Sequence, residues 1–184
     1  MFRTMLAVVF LTSLVFAKDQ AQDATAATFA AAGCGPSEVQ FDVRTDKKQH
    51  PLPQPEPGKA MVYVYEDDSA AFCGGGCTAR VGVDGAWVGA NQGRSYFFFS
   101  VTPGDHRVCS AWQSSQKVLS QTGAALALTA EAGKVYYIRA TLNNKPGFKL
   151  KLIDGLNGPM QILPLAYSTL QPKQSTTYQP ADFE

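Results

Sequence analysis

Two histidines, His50 and His106, are all the chain carries, and neither sign of charge predominates: sixteen basic side chains stand against fifteen acidic ones. Scarce imidazole leaves little material for acid–base or metal chemistry. The lack of a basic block long enough to follow a phosphate backbone excludes nucleic acid as a partner. No stretch keeps a 3.6-residue apolar period for three turns, so a helical bundle is excluded. There is no Gly-x-Ser-x-Gly elbow to frame a nucleophilic serine. The glycines Gly74 to Gly76 lack the Lys-Ser/Thr that a phosphate-cradling loop requires. Long apolar runs are missing too, since the one over 5–16 falls short of the ~20 residues that span a bilayer.

What is present begins with an address. Arg3 ahead of that run and Val15-Phe16-Ala17 at its end read as a secretory signal over 1–17, cleaved on export, with Lys18, Asp19 and Asp23 following at once. Retention of the segment as an anchor is the competing reading. After cleavage no membrane span is expected, and the chain is expected to be secreted or periplasmic, at the cell envelope. Ala32-Gly33-Cys34 faintly resembles a lipoprotein box but stands far beyond the apolar run, which argues against lipidation of Cys34. In an oxidising compartment Cys34, Cys73, Cys77 and Cys109 read as two disulfides, with three connectivities open. Three glycines let Cys73 and Cys77 close on each other. That leaves Cys34 with Cys109, a bridge that pins the N-terminal arm to a strand and stabilises by ~4 kcal/mol through restriction of the unfolded chain.

One ordinary domain with tails fits 184 residues, 45% of them apolar. Its most organised stretch is 80–112, RVGVDGAWVGANQGRSYFFFSVTPGDHRVCSAW. Asp84-Gly85 favours a tight hairpin between a strand carrying Val81 and Val83 and one carrying Trp87 and Val88. Asn91 and Gly93 lead into an aromatic strand over 96–101, and Pro103-Gly104-Asp105 reverses the chain into a fourth strand with His106, Val108, Ser110 and Trp112 on one face. Upstream, 59–66 (KAMVYVYE) is apolar on both faces and predicts a central strand. Val39, Phe41 and Val43 alternate, predicting a short strand or an extended segment against the sheet. Pro51, Pro53, Pro55 and Pro57, at every second position, predict a semi-rigid polyproline spacer. Downstream, 118–130 predicts a strand pair or one strand after a loop, with Leu126 and Leu128 buried. Residues 135–140 predict a strand, 148–153 (FKLKLI) a strand with one wet face, and 160–166 a last strand or a short helix.

Seven or eight short strands indicate an all-β fold, an antiparallel sandwich of immunoglobulin-like type in preference to a lipocalin-like barrel. The expected organisation is a signal at 1–17, an arm and proline-rich linker at 18–58, the sandwich at 59–166 and a flexible tail at 167–184. The motif VGVDGAWVGANQGRSYFFFSVTPGDHRVCSAWQS, with GKAMVYVYE before it and LTAEAGKVYYIRA after it, resembles a domain of bacterial exported proteins and lipoproteins with no defined activity, itself similar to PEGA-type β-sandwich repeats. The resemblance covers residues 34 to about 162. It implies a cell-envelope or secreted protein, favours the Cys34–Cys109 pairing, and supplies no catalytic or binding residues.

Chemistry has thin support. His106 lies beside Asp105 and three residues before Cys109, so it is a candidate for a Cys-His pair or, with Cys73, Cys77 and Cys109, for a zinc site. Oxidised thiols and the absence of a strand-turn-helix frame argue for an edge-strand histidine instead. His50 reads as solvated, and Asp67-Asp68 as a surface pair with only a weak claim on calcium. The aromatics pose the sharper question. Tyr96 and Phe98 point to one face of their strand and Phe97 and Phe99 to the other, yet the space between two sheets takes only one set. The second set is expected beneath the arm held by Cys34, or against a partner protein, a glycan or an envelope surface. Trp87, Tyr96, Phe98 and Trp112 are the candidate binding residues, weighed against the preferred reading that all of them are core or covered by the chain's own loops. The expected function is a non-enzymatic exported module for interaction or structure, with no cofactor. A metal-binding or Cys/His-dependent enzyme and a glycan-binding module are the alternatives.

Overall fold

Alternating side-chain direction builds nearly all of the structure, a computed structural model that describes residues 34–36, 38–67, 77–113, 123–143 and 147–173. In chain order the strands are β1 (Phe41–Asp46), β2 (Ala60–Glu66), β3 (Thr78–Val83), β4 (Ala86–Gln92), β5 (Ser95–Val101), β6 (Gly104–Trp112), β7 (Gly123–Ala130), β8 (Val135–Asn143) and β9 (Gly147–Ile153). A short helix, α1 (Gly158–Ile162), precedes β10 (Ala166–Pro172). Two sheets result, ordered β1-β10-β5-β2-β8-β9 and β4-β3-β6-β7. They do not close into a barrel, and the fold is an all-β sandwich.

The apolar set of β2 that includes Ala60, Val62 and Val64 meets Val81, Val83, Val108, Trp112 and Leu128 from the smaller sheet, with Phe97 and Ile138 completing the space between the layers. β2 is buried along its whole length because it lies between β5 and β8. The Asp84-Gly85 hairpin forms as its dipeptide predicts, with Val83 opposite Ala86 and positive φ at both turn residues. A register shift between Val81 and Gly82 follows, where the extra residue on β4 turns Trp87 to the outer face.

The organised 80–112 stretch is divided between the layers: β3, β4 and β6 share the smaller sheet, whereas β5 crosses to the larger and pairs with β2 from Tyr96 opposite Tyr65 to Val101 opposite Ala60. Two pairings are parallel, β2 with β8 and β10 with β5, unlike the wholly antiparallel immunoglobulin arrangement. Parallel neighbours are distant in sequence, so no local turn signals them. The larger sheet also reaches past the expected boundaries. β1 lies inside the stretch read as arm and linker, and Tyr167 to Gln171, read as mobile tail, run in β10 opposite β1. Val43 and Leu170 explain this: both turn inward and cover the flank of Trp87 and Ala90. The signal segment, Cys73, Gly74 to Gly76, Asp68, residues 118–122 and residues 174–184 lie outside the described residues.

Candidate functional site

Each sheet buries apolar side chains on its outer face as well as on its inner one, and each outer face is covered by a different irregular segment. On the smaller sheet Trp87, Ala90, Cys109 and Ala111 face outward and meet Cys34, Val39 and Phe41 of the N-terminal arm. The Cys34–Cys109 disulfide joins positions 75 residues apart in sequence with their Cα atoms 5.9 Å apart. A Cβ at Gly82 would overlap the Cys34 carbonyl, so the arm sits directly on β3. Trp87 Nε1 donates to the Pro36 carbonyl at 2.7 Å, and Arg80 Nη1 donates to the Val39 carbonyl at 2.6 Å. The Arg80 guanidinium also lies 4.2 Å from the Trp87 ring centre, an attractive stacking geometry. Burial lowers the pKa of Arg80 from its ordinary value.

On the larger sheet the outward set is Met61, Tyr63, Tyr65, Tyr96 and Tyr137, closed over by Ile162 and Leu165 of the α1 segment. Tyr63 and Tyr137 stack with ring centres 5.3 Å apart. Above them runs the proline-rich segment, whose prolines at 51, 53 and 55 are half-buried while Leu52, Gln54 and Glu56 face out. Tyr63 Oη donates to the Pro53 carbonyl at 2.7 Å and Tyr96 Oη to the Pro51 carbonyl at 3.1 Å. A polyproline helix has no internal hydrogen bonds, so those carbonyls are free to accept. Burial, reinforced by the neighbouring phenols, raises the pKa of Tyr63, and burial with Tyr167 nearby pushes Tyr96 to about 12. The segment expected to be a spacer is therefore a strap, crossing the sheet from β1 to β2.

The candidate aromatic platform is corrected by these contacts. Trp87 lies under the arm, Tyr96 under the strap and Trp112 between the sheets, all buried, and Phe98 is half-buried against Tyr63 and Tyr167. The arm held by Cys34 covers Trp87, not the second set of β5 aromatics as expected; the strap and α1 cover those. Flat aromatic rings exposed for glycan stacking are not formed by Trp87, Tyr96 or Trp112.

The covering layer itself exposes apolar groups. Leu156, Met160 and Leu163 are 88%, 61% and 56% exposed, and Leu52 is exposed as well. Ile162 and Leu165 face the tyrosines, so the 156, 160, 163 row points away from the sheet, as Leu52 does between its half-buried prolines. Gly158 permits this close seating, since a Cβ there would overlap the Tyr137 ring. Asp154 holds the preceding turn by accepting from the backbone N–H of Leu156 and Asn157 and from Asn157 Nδ2. Sequence reasoning passed over this row, although a spacing of four and three beside inward Ile162 and Leu165 is a helical two-sided signal.

The reactive candidates are otherwise engaged. His106 Nδ1 contacts Asp84 Oδ2 at 2.6 Å and Nε2 contacts the Thr102 carbonyl at 2.7 Å. Both partners accept, an arrangement that favours the doubly protonated ring, in which both nitrogens donate. Burial opposes that charge, but the hydrogen bonds to Asp84 and Thr102 and the charges of Asp84 and Asp105 raise the His106 pKa overall. Cys109 is bonded to Cys34 and Cys77 is also disulfide-bonded, so neither offers a thiolate to a Cys-His pair or a zinc site. Among the described residues no group of three His, Cys, Asp or Glu side chains is placed to hold a metal ion. His50 is exposed and contacts the Lys47 carbonyl. Asp67, half of the pair weighed for calcium, forms two contacts of 2.9 Å with Arg139.

Two further polar features were not foreseen. Glu66, Asn91, Ser95 and Ser168 are buried at one end of the inter-sheet space, with Asn91 Nδ2 donating to the Val64 carbonyl and Ser168 Oγ to Ser95 Oγ. Glu66 closes an otherwise apolar strand, which was its only sequence signal. A shallow depression of about 360 Å³ lies on the β1–β10 ribbon, lined by Asp42, Arg44, Thr169 and Gln171 with Val43 and Leu170, but its polar side chains are all solvent-exposed.

Against known proteins, residues 56–151, 96 of the 184, match the model of a family described as "Protein of unknown function (DUF2846)". No curated protein and no solved structure matches the chain.

Proposed function

For a chain that belongs to the DUF2846 family of proteins of unknown function, we propose an exported, non-catalytic β-sandwich module that works by binding at the bacterial cell envelope. Its binding face is the layer strapped over the larger sheet. The observation that carries this reading is the distribution of exposed aliphatics: of five exposed large hydrophobic side chains among the described residues, Leu156, Met160 and Leu163 lie on or beside α1 and Leu52 on the strap, whereas Leu152 is on β9 with the parity of core-facing Leu150. Concentration of exposed apolar surface marks an interaction site more often than chance scatter does. The buried Cys34–Cys109 disulfide supports an oxidising compartment. So does the apolar leader with its small-residue cleavage site. A Cys/His enzyme is the weaker reading because imidazole and thiols are already engaged.

The test is fractionation of a bacterial host expressing the full chain with its own leader. The expected product is recovered outside the cytoplasm, begins at Lys18 and shows no titratable thiol when unfolded without reductant. A cytoplasmic, thiol-rich product would overturn the proposal.

A further inference from the structure

We propose that the outer layer over the larger sheet docks on an anionic phospholipid surface, Leu156, Met160 and Leu163 entering the headgroup region while lysines around them meet the phosphates. This rests on the reading that this layer is the binding face, and it names the partner. Charge selects that partner. Segment 47–59 and the stretch 149–163 carry Lys47, Lys48, Lys59, Lys149 and Lys151 against only Glu56 and Asp154, in a chain that is otherwise nearly balanced. Glu56 and Lys59 pair with each other at 2.9 Å, so neither adds to the excess carried by Lys47, Lys48, Lys149 and Lys151, and Asp154 is engaged by its own turn. Lys149 and Lys151 are exposed and share the parity of Ile153, which packs on the outward tyrosine cluster, so they lie on the same side of the sheet as the aliphatic row.

The shape of the patch distinguishes a bilayer from other occupants. The aliphatics protrude from a turn and a short helix; they do not line a groove for a partner's side chain. Arg, Trp and Tyr, the usual anchors of protein interfaces, are missing from the row, and lysine is depleted at such interfaces. Leucine and methionine flanked by lysines whose stems reach a polar boundary suit a lipid surface. A second copy presents the same positive rim, which repels in a two-fold contact.

The exported, disulfide-bonded protein is mixed with vesicles of phosphatidylglycerol and phosphatidylcholine, or of phosphatidylcholine alone, and sedimented. Sedimentation with the anionic vesicles is expected, weakening as salt rises. Lys149→Glu and Lys151→Glu should each reduce affinity about fivefold or more. Leu156→Glu combined with Met160→Glu should reduce it about tenfold or more. An unchanged near-UV circular dichroism spectrum verifies that each variant is folded, and all carry the same N-terminus as the parent. Equal sedimentation of parent and Leu156→Glu/Met160→Glu protein, or equal binding to both vesicle types, overturns the proposal. Concentration-dependent dimerisation lost in that variant, or capture of an acidic protein without vesicle binding, assigns the patch to a protein and also overturns it. Failure on vesicles with the protein still recovered outside the cytoplasm removes the lipid partner and leaves the envelope reading standing.

Discussion

The two outer faces of the sandwich solve one problem in different ways. Each sheet presents apolar side chains on both sides, and each needs a third layer that no long helix among the described residues provides. Over the smaller sheet the cover is short and anchored covalently by Cys34–Cys109. Over the larger sheet it is long and held by hydroxyls and packing, through Tyr63, Tyr96 and the α1 segment. Both use an aromatic whose polar tip donates to a proline carbonyl, with Trp87 on Pro36 in one case and Tyr63 on Pro53 in the other. The difference is in what the cover shows to solvent. The strap and the α1 segment expose leucine and methionine, the surface on which the proposed binding face rests.

Breaking the covalent anchor should have the largest effect. Replacing both Cys34 and Cys109 by Ala should cost about 4 kcal/mol of unfolding free energy in urea, because the bridge closes a long loop. A loss below about 1 kcal/mol would mean that Trp87 and Arg80 hold the arm unaided. On the other face, Tyr63→Phe removes one hydroxyl and keeps the stacked ring. About 1 kcal/mol is the expected cost, and an unchanged urea midpoint would show that packing alone retains the strap.

The smallest effect belongs to a contact that covers neither face, the His106–Asp84 pair. His106 has its folded-state pKa raised above 6.5, so its stabilisation is fully present below about pH 6.5 and lost as pH rises through the folded value. Burial pushes the Asp84 pKa up, but hydrogen bonds from the Arg107 backbone N–H and from His106, with the His106 charge, bring it below 3.8 overall. Its contribution is present above about pH 3.8 and fades as pH falls through the lowered value. His106→Gln should therefore narrow the stability advantage of pH 5.5 over pH 8.5, by less than ~1 kcal/mol because Asp84 is half exposed. An unaltered pH profile would show that the imidazolium adds nothing.

How far these features were legible varied with their range. The Asp84-Gly85 hairpin, the central strand at 60–66 and the alternation of the β5 aromatics are local, set by turn chemistry and a period of two. The use of the prolines was not: their spacing predicted stiffness, but only the tyrosine hydroxyls beneath them turned a spacer into a cover. Trp87 and Tyr96 looked like surface candidates because a strand's parity says that a residue faces outward and not what lies above it. His106 stands near Cys109 in sequence, but the sheet register sends Cys109 to the arm and His106 to the hairpin turn.

Sequence alone determined that this chain folds as a two-layer β structure, since strand period and turn dipeptides act over a few positions. The parallel neighbours β2 and β8, the inclusion of β1 and β10, and the choice of which segment covers which face were decided only in three dimensions. Those features join residues dozens of positions apart, and they are selected by which surfaces still need burial once the sheets have formed.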